Sequence, residues 1–323
     1  MPLSLPTQAD IAAAARRLRR FVQPTPLIRL ALEDAGPEIY LKLENLHPMG
    51  AFKLRPAGNV VARWLEDGAL PDGVYTASSG NSGLGLAWAA RVAGVAARIY
   101  VPDGASPAKL AALARLGAEV IPLPYDAWWR MIVERGRNDE PGRFFNAVGD
   151  PHAMAGNATI GLEILDDLPD VDTVAVPFGG GGLACGIAAG LRAQGSNARI
   201  VACEPATAAP LTAARAAGRI VEVKAGRSFV DAIGVAAVLP EMWPLTETLI
   251  DDVCAVDLEQ VAAAIRLLFT RARVVAEGAG AVALAATLAG HTGHGKVVCI
   301  VSGGNIAAPA FARILAGGVP EAG

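Results

Sequence analysis

Gly50-Ala51-Phe52-Lys53-Leu54-Arg55-Pro56-Ala57 is the stretch around which the chain is organised, and Lys53 is its centre. A strand is predicted over Ile39 to Leu43, running into a loop, Asn45 to Gly50, that contains Pro and Gly. Lys53 falls where a helix should begin, because Pro56 suits a first helical turn in which its missing N–H has no partner to lose. Downstream, Ala57, Val60, Val61, Trp64 and Leu65 recur at helical spacing and give that helix a buried face. A lysine at a helix N-terminus opposes the dipole. If it is also partly desolvated, its amine pKa falls and it becomes a nucleophile for carbonyl chemistry. A lone lysine is more often a surface residue whose stem covers apolar neighbours. The rest of the chain decides between the two.

Three further loops share one design, a strand followed by small residues and then a helix. The buried strand Thr173 to Pro177 leads into Phe178-Gly179-Gly180-Gly181-Gly182 and a helix from Leu183 to Gln194. Backbone N–H groups of such a loop close on a small anion, and the helix N-terminus adds favourable potential. No Gly-Lys-Ser/Thr follows, so this is not a nucleotide P-loop. Gly179, Gly181 and Ala184 do fit G-x-G-x-x-A, and Glu204 ends the next strand, which keeps a dinucleotide-binding reading open beside plain helix–strand packing. Ser78-Ser79-Gly80-Asn81-Ser82-Gly83, after a strand over Val74 to Thr76, offers hydroxyls and N–H groups suited to a carboxylate, with ordinary capping by Ser82 as the alternative. Ser302-Gly303-Gly304-Asn305 follows the last strand, Lys296 to Val301. There is no complete G-x-S-x-G elbow and no histidine near a candidate serine, so a serine hydrolase is unsupported. A helix-start lysine, an anion cradle, a carboxylate cradle and a polar residue ending the last strand fit one reaction class. That class uses an aldehyde cofactor bearing a phosphate, held as a Schiff base and acting on an amino acid.

The rest of the composition is compatible with such an enzyme. Of 323 residues, 53% are apolar and 18% charged, enough for a large core and too few charges for disorder. A net charge of −3 invites neither nucleic acid nor anionic lipid. The Arg16-Arg17-Leu18-Arg19-Arg20 cluster ends a helix over 8–20 that Asp10 or Thr7 caps, where cations complement the dipole. No targeting or membrane-spanning stretch is recognised, and Cys185, Cys203, Cys254 and Cys299 are dispersed, so a cytoplasmic, reducing location is expected. His291 and His294 lack companion ligands, and no metal is expected there. Helical and strand patterns alternate throughout, which implies an α/β fold with mostly parallel strands, and residues 73–146 read as a compact unit. The expected helices include Pro107 to Leu116, Met154 to Leu165, 257–272 and 277–289.

Thr25-Pro26-Leu27, Lys42-Leu43-Glu44-Asn45, Ala51-Phe52-Lys53-Leu54-Arg55, Ser78-Ser79-Gly80-Asn81, Gly179 to Leu183, Glu277-Gly278-Ala279-Gly280 and Ser302-Gly303-Gly304-Asn305, in that order, carry a specific resemblance. The sequence resembles the fold-type II (tryptophan synthase β-like) pyridoxal-phosphate enzymes, in the threonine/serine dehydratase and serine racemase branch. The resemblance implies two open, mostly parallel-sheet, three-layer domains with pyridoxal 5'-phosphate (PLP) in the cleft between them. Residues 1–72 and 147–323 would form the large domain and 73–146 a small mobile one. It further implies that Lys53 forms the Schiff base and later removes the substrate Cα proton, that Phe52 packs on the ring, and that Asn81 bonds the phenolic oxygen. Gly179, Gly180, Gly181, Gly182 and Leu183 would hold the phosphate, Ser302 would face the pyridine nitrogen, and Glu277 would lie near the ring. Ser78, Ser79, Asn81 and Ser82 would grip the substrate carboxylate, and Ser79 would double as the acid/base of a racemase. A neutral hydroxyl at Ser302 makes the ring a weaker electron sink than a carboxylate would, which favours loss of a β-substituent over transamination.

The activity implied is β-elimination from a β-hydroxy amino acid, giving a 2-oxo acid and ammonia. An amino-acid racemase, a β-replacing synthase and a non-catalytic dinucleotide- or ligand-binding protein are the rivals. The family also implies a homodimer and, for this length, no C-terminal regulatory domain. Departures bear on the substrate: Ala51 stands where serine is common, Pro56 where glycine is, and Ser82 and Leu84 where His and Gln are frequent. The less polar loop leaves room for a larger, apolar β-substituent, so phenylserine joins threonine and serine as a candidate. Glu204-Pro205 lacks the second carboxylate of the racemase cation site, so no strong metal site is expected.

Overall fold

The computed structural model describes residues 3–32, 36–70, 72–105 and 107–321. Helix α1 (Gln8–Leu18) starts where Thr7 and Asp10 cap each other. The Asp10 N–H donates to the Thr7 hydroxyl at 3.2 Å, and the Thr7 N–H donates to the Asp10 carboxylate at 2.9 Å. After the Thr25-Pro26 corner, β1 (Leu27–Leu30) lies antiparallel to β2 (Glu38–Lys42). Helix α2 (Leu54–Glu66) begins directly after Lys53. Then come β3 (Val74–Ala77), α3 (Asn81–Ala93), β4 (Ala97–Pro102), α4 (Pro107–Arg115), β5 (Glu119–Leu123), α5 (Tyr125–Glu134) and β6 (Arg143–Phe144). The run α6 (Pro151–Asp167), β7 (Thr173–Pro177), α7 (Gly182–Ala193), β8 (Arg199–Pro205), α8 (Pro210–Ala217), α9 (Trp243–Leu249) and β9 (Asp252–Val256) follows. The last elements are α10 (Leu258–Leu267), α11 (Gly278–Leu288), β10 (Lys296–Ile300) and α12 (Ala308–Leu315).

Two open sheets result. Strands β1-β2-β10-β7-β8-β9 form one, parallel except at the β1 edge, and β5-β4-β3-β6 form a second, wholly parallel one. The pleat explains why the larger sheet's strands are almost uninterrupted apolar runs. Val174, Val176, Ile200, Ala202, Val298 and Ile300 pack with Ile160, Ile164, Ile187 and Leu191 of α6 and α7. The alternate residues Ala175, Val201, Cys203, Val297 and Cys299 pack with Val261, Ile265, Ala283 and Leu284 of α10 and α11. Helix α7 reaches α6 backbone to backbone, since a Cβ on Gly190 would sit 2.1 Å from the Ala158 carbonyl oxygen. In the second sheet Val74, Ile99 and Val101 share a core with Val60, Val61 and Trp64 of α2, and Tyr75, Ala77 and Tyr100 pack on Met131 of α5. All four cysteines are buried, and Cys203 and Cys254 are register partners on β8 and β9.

Three local features differ from the sequence expectation. Helix α5 was not anticipated, because Pro124 supplies no side-chain cap and its aromatic-rich segment has little helical preference of its own. Tertiary contacts hold it: Met131 is buried, and the Trp128 indole N–H donates to the Tyr100 carbonyl at 3.1 Å. The helix expected over 257–272 changes character at Leu268, where a π-helical turn runs to Ala272 and Arg273 ends it at φ 62°. There Phe269 meets Phe311 of α12 edge-on at 5.4 Å. Ser82 is not a cap either: Gly80 is the N-cap of α3 and Ser82 lies inside the helix.

The end of β2, the start of α2 and helix α6 are tied together by a buried ionic cluster. Arg55, 1% exposed, donates from Nε and Nη2 to Glu44 at 2.7 and 2.8 Å and from Nη1 and Nη2 to Glu163 at 2.6 and 2.8 Å. The buried Lys42 ammonium donates to Glu163 and to the Thr25 carbonyl, both at 2.7 Å, and the Thr25 hydroxyl donates to Glu44 at 2.6 Å. Burial alone would push Glu44 up, but the Arg55 guanidinium and His47, 3.0 Å away, hold it well below the usual carboxylate range. Arg55→Met would leave Glu44 and Glu163 short of charge compensation in a dry interior. It is expected to cost about 3–5 kcal/mol in urea unfolding at pH 7. Arg63→Ala, which breaks only the exposed Arg63–Asp67 pair, is expected to cost about 0.5 kcal/mol or less.

Candidate active site

Parallel strands deliver the N-termini of their following helices to one edge, and here those edges face one another. The loops after β3, β7 and β10 and the start of α2 and α11 enclose a cavity of about 700 Å³. Phe52 and Lys53 line it from α2, and Ser78, Ser79, Asn81 and Ser82 from the second sheet. Gly179, Gly180, Gly181, Gly182 and Leu183 line it from β7–α7, with Glu277 before α11 and Ser302 after β10. A larger depression of about 840 Å³ beside α6 and β7 is lined by Asp166, Asp170 and Asp172 and has no comparable chemistry. Asp170 pairs there with Lys296, and Asp172 accepts from the Lys296 N–H at 2.7 Å.

Lys53 is the N-cap of α2 in a helical conformation, with no side-chain cap. Part of its surface faces the cavity, yet the surrounding protein desolvates the ammonium. Burial lowers its pKa to about 8, against an opposing pull from Glu277. Its Nζ stands 4.9 Å from the centre of the Phe52 ring. Glu277, 8% exposed, is pushed up to about 7 by burial, and its carboxylate accepts from the Asn81 amide N–H at 2.8 Å. Gly303 makes room for that carboxylate, since a Cβ there would fall 2.4 Å from Glu277 Oε1. An amine and a carboxyl group that both titrate near neutrality therefore share one cleft.

At the glycine loop, Gly181 is the N-cap of α7 with φ 87°, a conformation that favours glycine. The first intrahelical bond, from the Cys185 N–H to the Gly181 carbonyl at 3.0 Å, leaves the N–H groups of Gly182, Leu183 and Ala184 without a helical partner. Asn157, buried on α6, braces the loop by donating to the Gly182 carbonyl at 3.0 Å. In the other loop the Ser78 hydroxyl accepts from the Gly80 N–H at 3.2 Å. Glu204 lies elsewhere: it is buried and accepts from the Leu211 N–H at 2.8 Å, the Thr212 N–H at 2.8 Å and the Thr212 hydroxyl at 2.7 Å. It starts α8 and does not line the cavity, which removes the acidic partner that a dinucleotide-binding reading requires.

Lys109, Trp128, Asn157 and Asp231 are polar or aromatic cavity residues that escaped the sequence reading. Lys109 and Asp231 form an ion pair at 3.5 Å between α4 and the turn before Gly234. None belongs to a strand-to-helix loop, so loop composition carried no signal for them. The Trp128-Trp129 doublet, part of the helical spacing Tyr125, Trp128, Trp129 and Ile132, was the clue available. Among the described residues no group of three or more His, Cys, Asp and Glu side chains is placed to hold a metal. No described helix is long and apolar enough to cross a membrane.

A two-sheet α/β fold with a desolvated amine opposite a helix-terminal anion cradle defines a class of enzyme that works through a phosphorylated aldehyde. The chain belongs to the pyridoxal-phosphate dependent enzyme family, which it matches over residues 18–303. It is 37% identical to an L-threonine ammonia-lyase of Geobacter sulfurreducens, over 100% of this chain and 80% of the relative. It is 32% identical to a serine racemase of Oryza sativa subsp. indica, over 92% and 90%. Its structure superposes on that of maize serine racemase with a TM-score of 0.88 at 27% identity, covering 96% of this chain and 97% of the other. The cavity fits PLP: unpartnered N–H groups suit the phosphate, and Lys53 suits the aldehyde.

The sign of the Glu277 shift gives a test. In the folded chain burial lets Glu277 keep its proton up to about pH 7, against the ordinary carboxyl value of 4.5. Its burial therefore begins to oppose folding as pH rises through 4.5 and does so fully above 7. Glu277→Gln is expected to stabilise the cofactor-free protein by on the order of 2–3 kcal/mol at pH 9 and little at pH 4.5, read by urea unfolding at both.

Proposed function

We propose that this chain is a PLP-dependent lyase that eliminates water from a β-hydroxy amino acid, the resulting enamine taking up water again to give a 2-oxo acid and ammonia. The observation that carries the reading is the desolvated Lys53 amine facing the glycine cradle, in a chain similar to L-threonine ammonia-lyases. When bound, PLP supplies an aldehyde for an amine and a ring that spreads the charge left at a deprotonated Cα. The N–H groups of Gly179 to Leu183 bind the phosphate. The helix start at Ser78 to Ser82 binds the substrate carboxylate, with Ser79 as its central hydroxyl. Asn81 donates to the phenolic oxygen, and Ser302 offers the pyridine nitrogen a neutral hydroxyl. Lys53 Nζ, partly unprotonated because its pKa lies near 8, accepts the Cα proton. Over the whole reaction the Cα–H and Cβ–O bonds break, water leaves, and the released enamine hydrolyses to the 2-oxo acid and ammonia.

The reading includes the division into a large unit, 1–72 and 147–323, and a small unit, 73–146, whose movement excludes water from the cavity. The cross-cleft pairs Lys109–Asp231 and Arg135–Glu241 support it, being weak, partly exposed contacts that open at little cost. The reading takes the enzyme to act in the cytoplasm, as a homodimer in keeping with the family resemblance. Leu84, Ala112, Trp128 and Ile132 form an apolar wall, with the Trp128 indole fixed on the Tyr100 carbonyl. That wall favours substrates whose β-carbon carries an apolar group.

The test is release of 2-oxo acid and ammonia from L-threonine, L-serine and L-threo-3-phenylserine with PLP present. Threonine and phenylserine are expected to exceed serine in kcat/KM, and Trp128→Ala is expected to lower phenylserine turnover about tenfold, with a smaller effect on serine. Borohydride is expected to label Lys53 in the PLP-loaded protein. Ser79→Ala is expected to raise the KM of elimination while largely keeping its kcat, and to lose any racemisation. Oxo acid from none of the three substrates overturns the lyase reading, and Cα inversion without ammonia makes the chain a racemase.

A further inference from the structure

The loop after β10 carries Asn305, a residue that the proposed chemistry leaves without a role although it lines the cavity. Its Nδ2 donates to the Met49 carbonyl oxygen at 2.9 Å and to the Asn81 amide oxygen at 2.8 Å. Asn81 in turn donates to Glu277 at 2.8 Å. The Asn305 backbone also helps to hold the Glu277 carboxyl down. These contacts form one chain of amides.

An amide side chain has two orientations that differ only in which end donates, and the partners decide between them. A backbone carbonyl can only accept, so the Met49 oxygen forces Asn305 to present its NH2 group there. Both hydrogens of that group are then committed, one to Met49 and one to Asn81. Asn81 must present its oxygen to Asn305, and its NH2 must face Glu277, whose carboxylate accepts. One Asn81 hydrogen goes to Glu277 and one is left over. Reversing Asn81 would set NH2 against NH2 on the Asn305 side, whichever protonation state Glu277 holds. The surroundings are built to this arrangement. Gly50 has φ 79°, and a Cβ on it would fall 2.6 Å from Asn305 Oδ1. The Phe52 N–H donates to the Ser302 carbonyl at 3.0 Å and the Gly304 N–H to the Gly50 carbonyl at 2.8 Å, which locks the Asn305 loop to the Lys53 segment.

We propose that Asn305 is a positioning residue, anchored on the Met49 carbonyl, that fixes the polarity of the Asn81 amide so that one Asn81 N–H always faces the cofactor's phenolic oxygen. The inference rests on the PLP reading above. Asn305 acts through Asn81 and does not itself touch the reacting atoms. An Asn305→Asp side chain is nearly isosteric but has only acceptors. It repels the Met49 oxygen and attracts the Asn81 NH2, which turns Asn81 and withdraws its donor from the cavity.

Two readouts independent of turnover test this: the PLP dissociation constant of the cofactor-free protein, and the pH at which the bound cofactor's visible absorption changes. Asn305→Asp is expected to weaken PLP binding about tenfold and to move the spectral transition upward, because a phenolic oxygen that has lost its donor is more basic. Asn81→Ala is expected to do the same, and the Asn81→Ala/Asn305→Asp pair no more than Asn81→Ala alone. An added charge beside Glu277 acting by itself would persist in the Asn81→Ala background, so additive effects overturn the proposal. Wild-type behaviour of Asn305→Asp in both readouts overturns it too. Asn305→Ala serves as a second variant if Asn305→Asp fails to give a folded protein by thermal unfolding. It is expected to shift both readouts in the same direction by less, and no shift overturns the proposal. A wild-type protein that takes up no PLP brings down the functional reading itself, whereas PLP uptake with an unresponsive Asn305 brings down this inference alone.

Discussion

The guanidinium of Arg55, buried two residues after the reactive amine, is the constraint on which the site depends. It holds Glu44 at the end of β2 and Glu163 on α6 simultaneously, with Lys42 and Thr25 completing the cluster. A lysine at a helix start has a long, mobile side chain, and its usefulness depends on where its backbone is held. The cluster pins that backbone to the end of β2 and to α6. Two cations face two carboxylates, so no net charge is buried. The cost of desolvating them is offset mainly by geometry, since nearly every polar atom has a partner.

Above that anchor the electrostatics run the other way. Lys53 and Glu277 are left under-compensated, and each is displaced toward neutrality by burial. Within a few residues the chain thus builds one well-partnered ionic cluster and leaves one amine and one carboxyl group under-compensated. The first confers rigidity and the second confers reactivity. Glycines make this possible where backbone must approach closely: Gly303 beneath Glu277 and Gly50 beneath Asn305 both leave space that a Cβ would fill.

The second sheet and its helices contribute one side of the cavity wall, and that sheet shares its apolar core with α2, through Val60, Val61 and Trp64. A movement of that sheet relative to the larger one would therefore be felt at the helix that carries Lys53. The exposed pairs across the cleft, Lys109–Asp231 among them, contribute little holding energy by comparison.

Much of this was legible in the sequence for a physical reason: the site is built from strand-to-helix loops, and those loops need residue types that stand out. Gly179 to Gly182, Ser78 to Asn81, and Ser302 to Asn305 each combine small residues with a following helix start. Pro56 and the apolar spacing after it placed Lys53 at a helix N-terminus. The apolar runs over Thr173–Pro177 and Lys296–Ile300 announced strands covered on both faces. What the sequence alone could not determine was anything set by contacts between distant segments. The helical state of Tyr125–Glu134 depends on Met131 and Trp128 finding the second sheet. Glu204 had the right spacing for one role, and tertiary structure turned it to the start of α8 instead. The polarity of Asn81 is decided by a carbonyl at Met49, and the acidity of Lys53 by desolvation in a cleft between two sheets. Local pattern specifies which groups are present, while the direction a group faces and the water it loses are decided only when the chain closes around it.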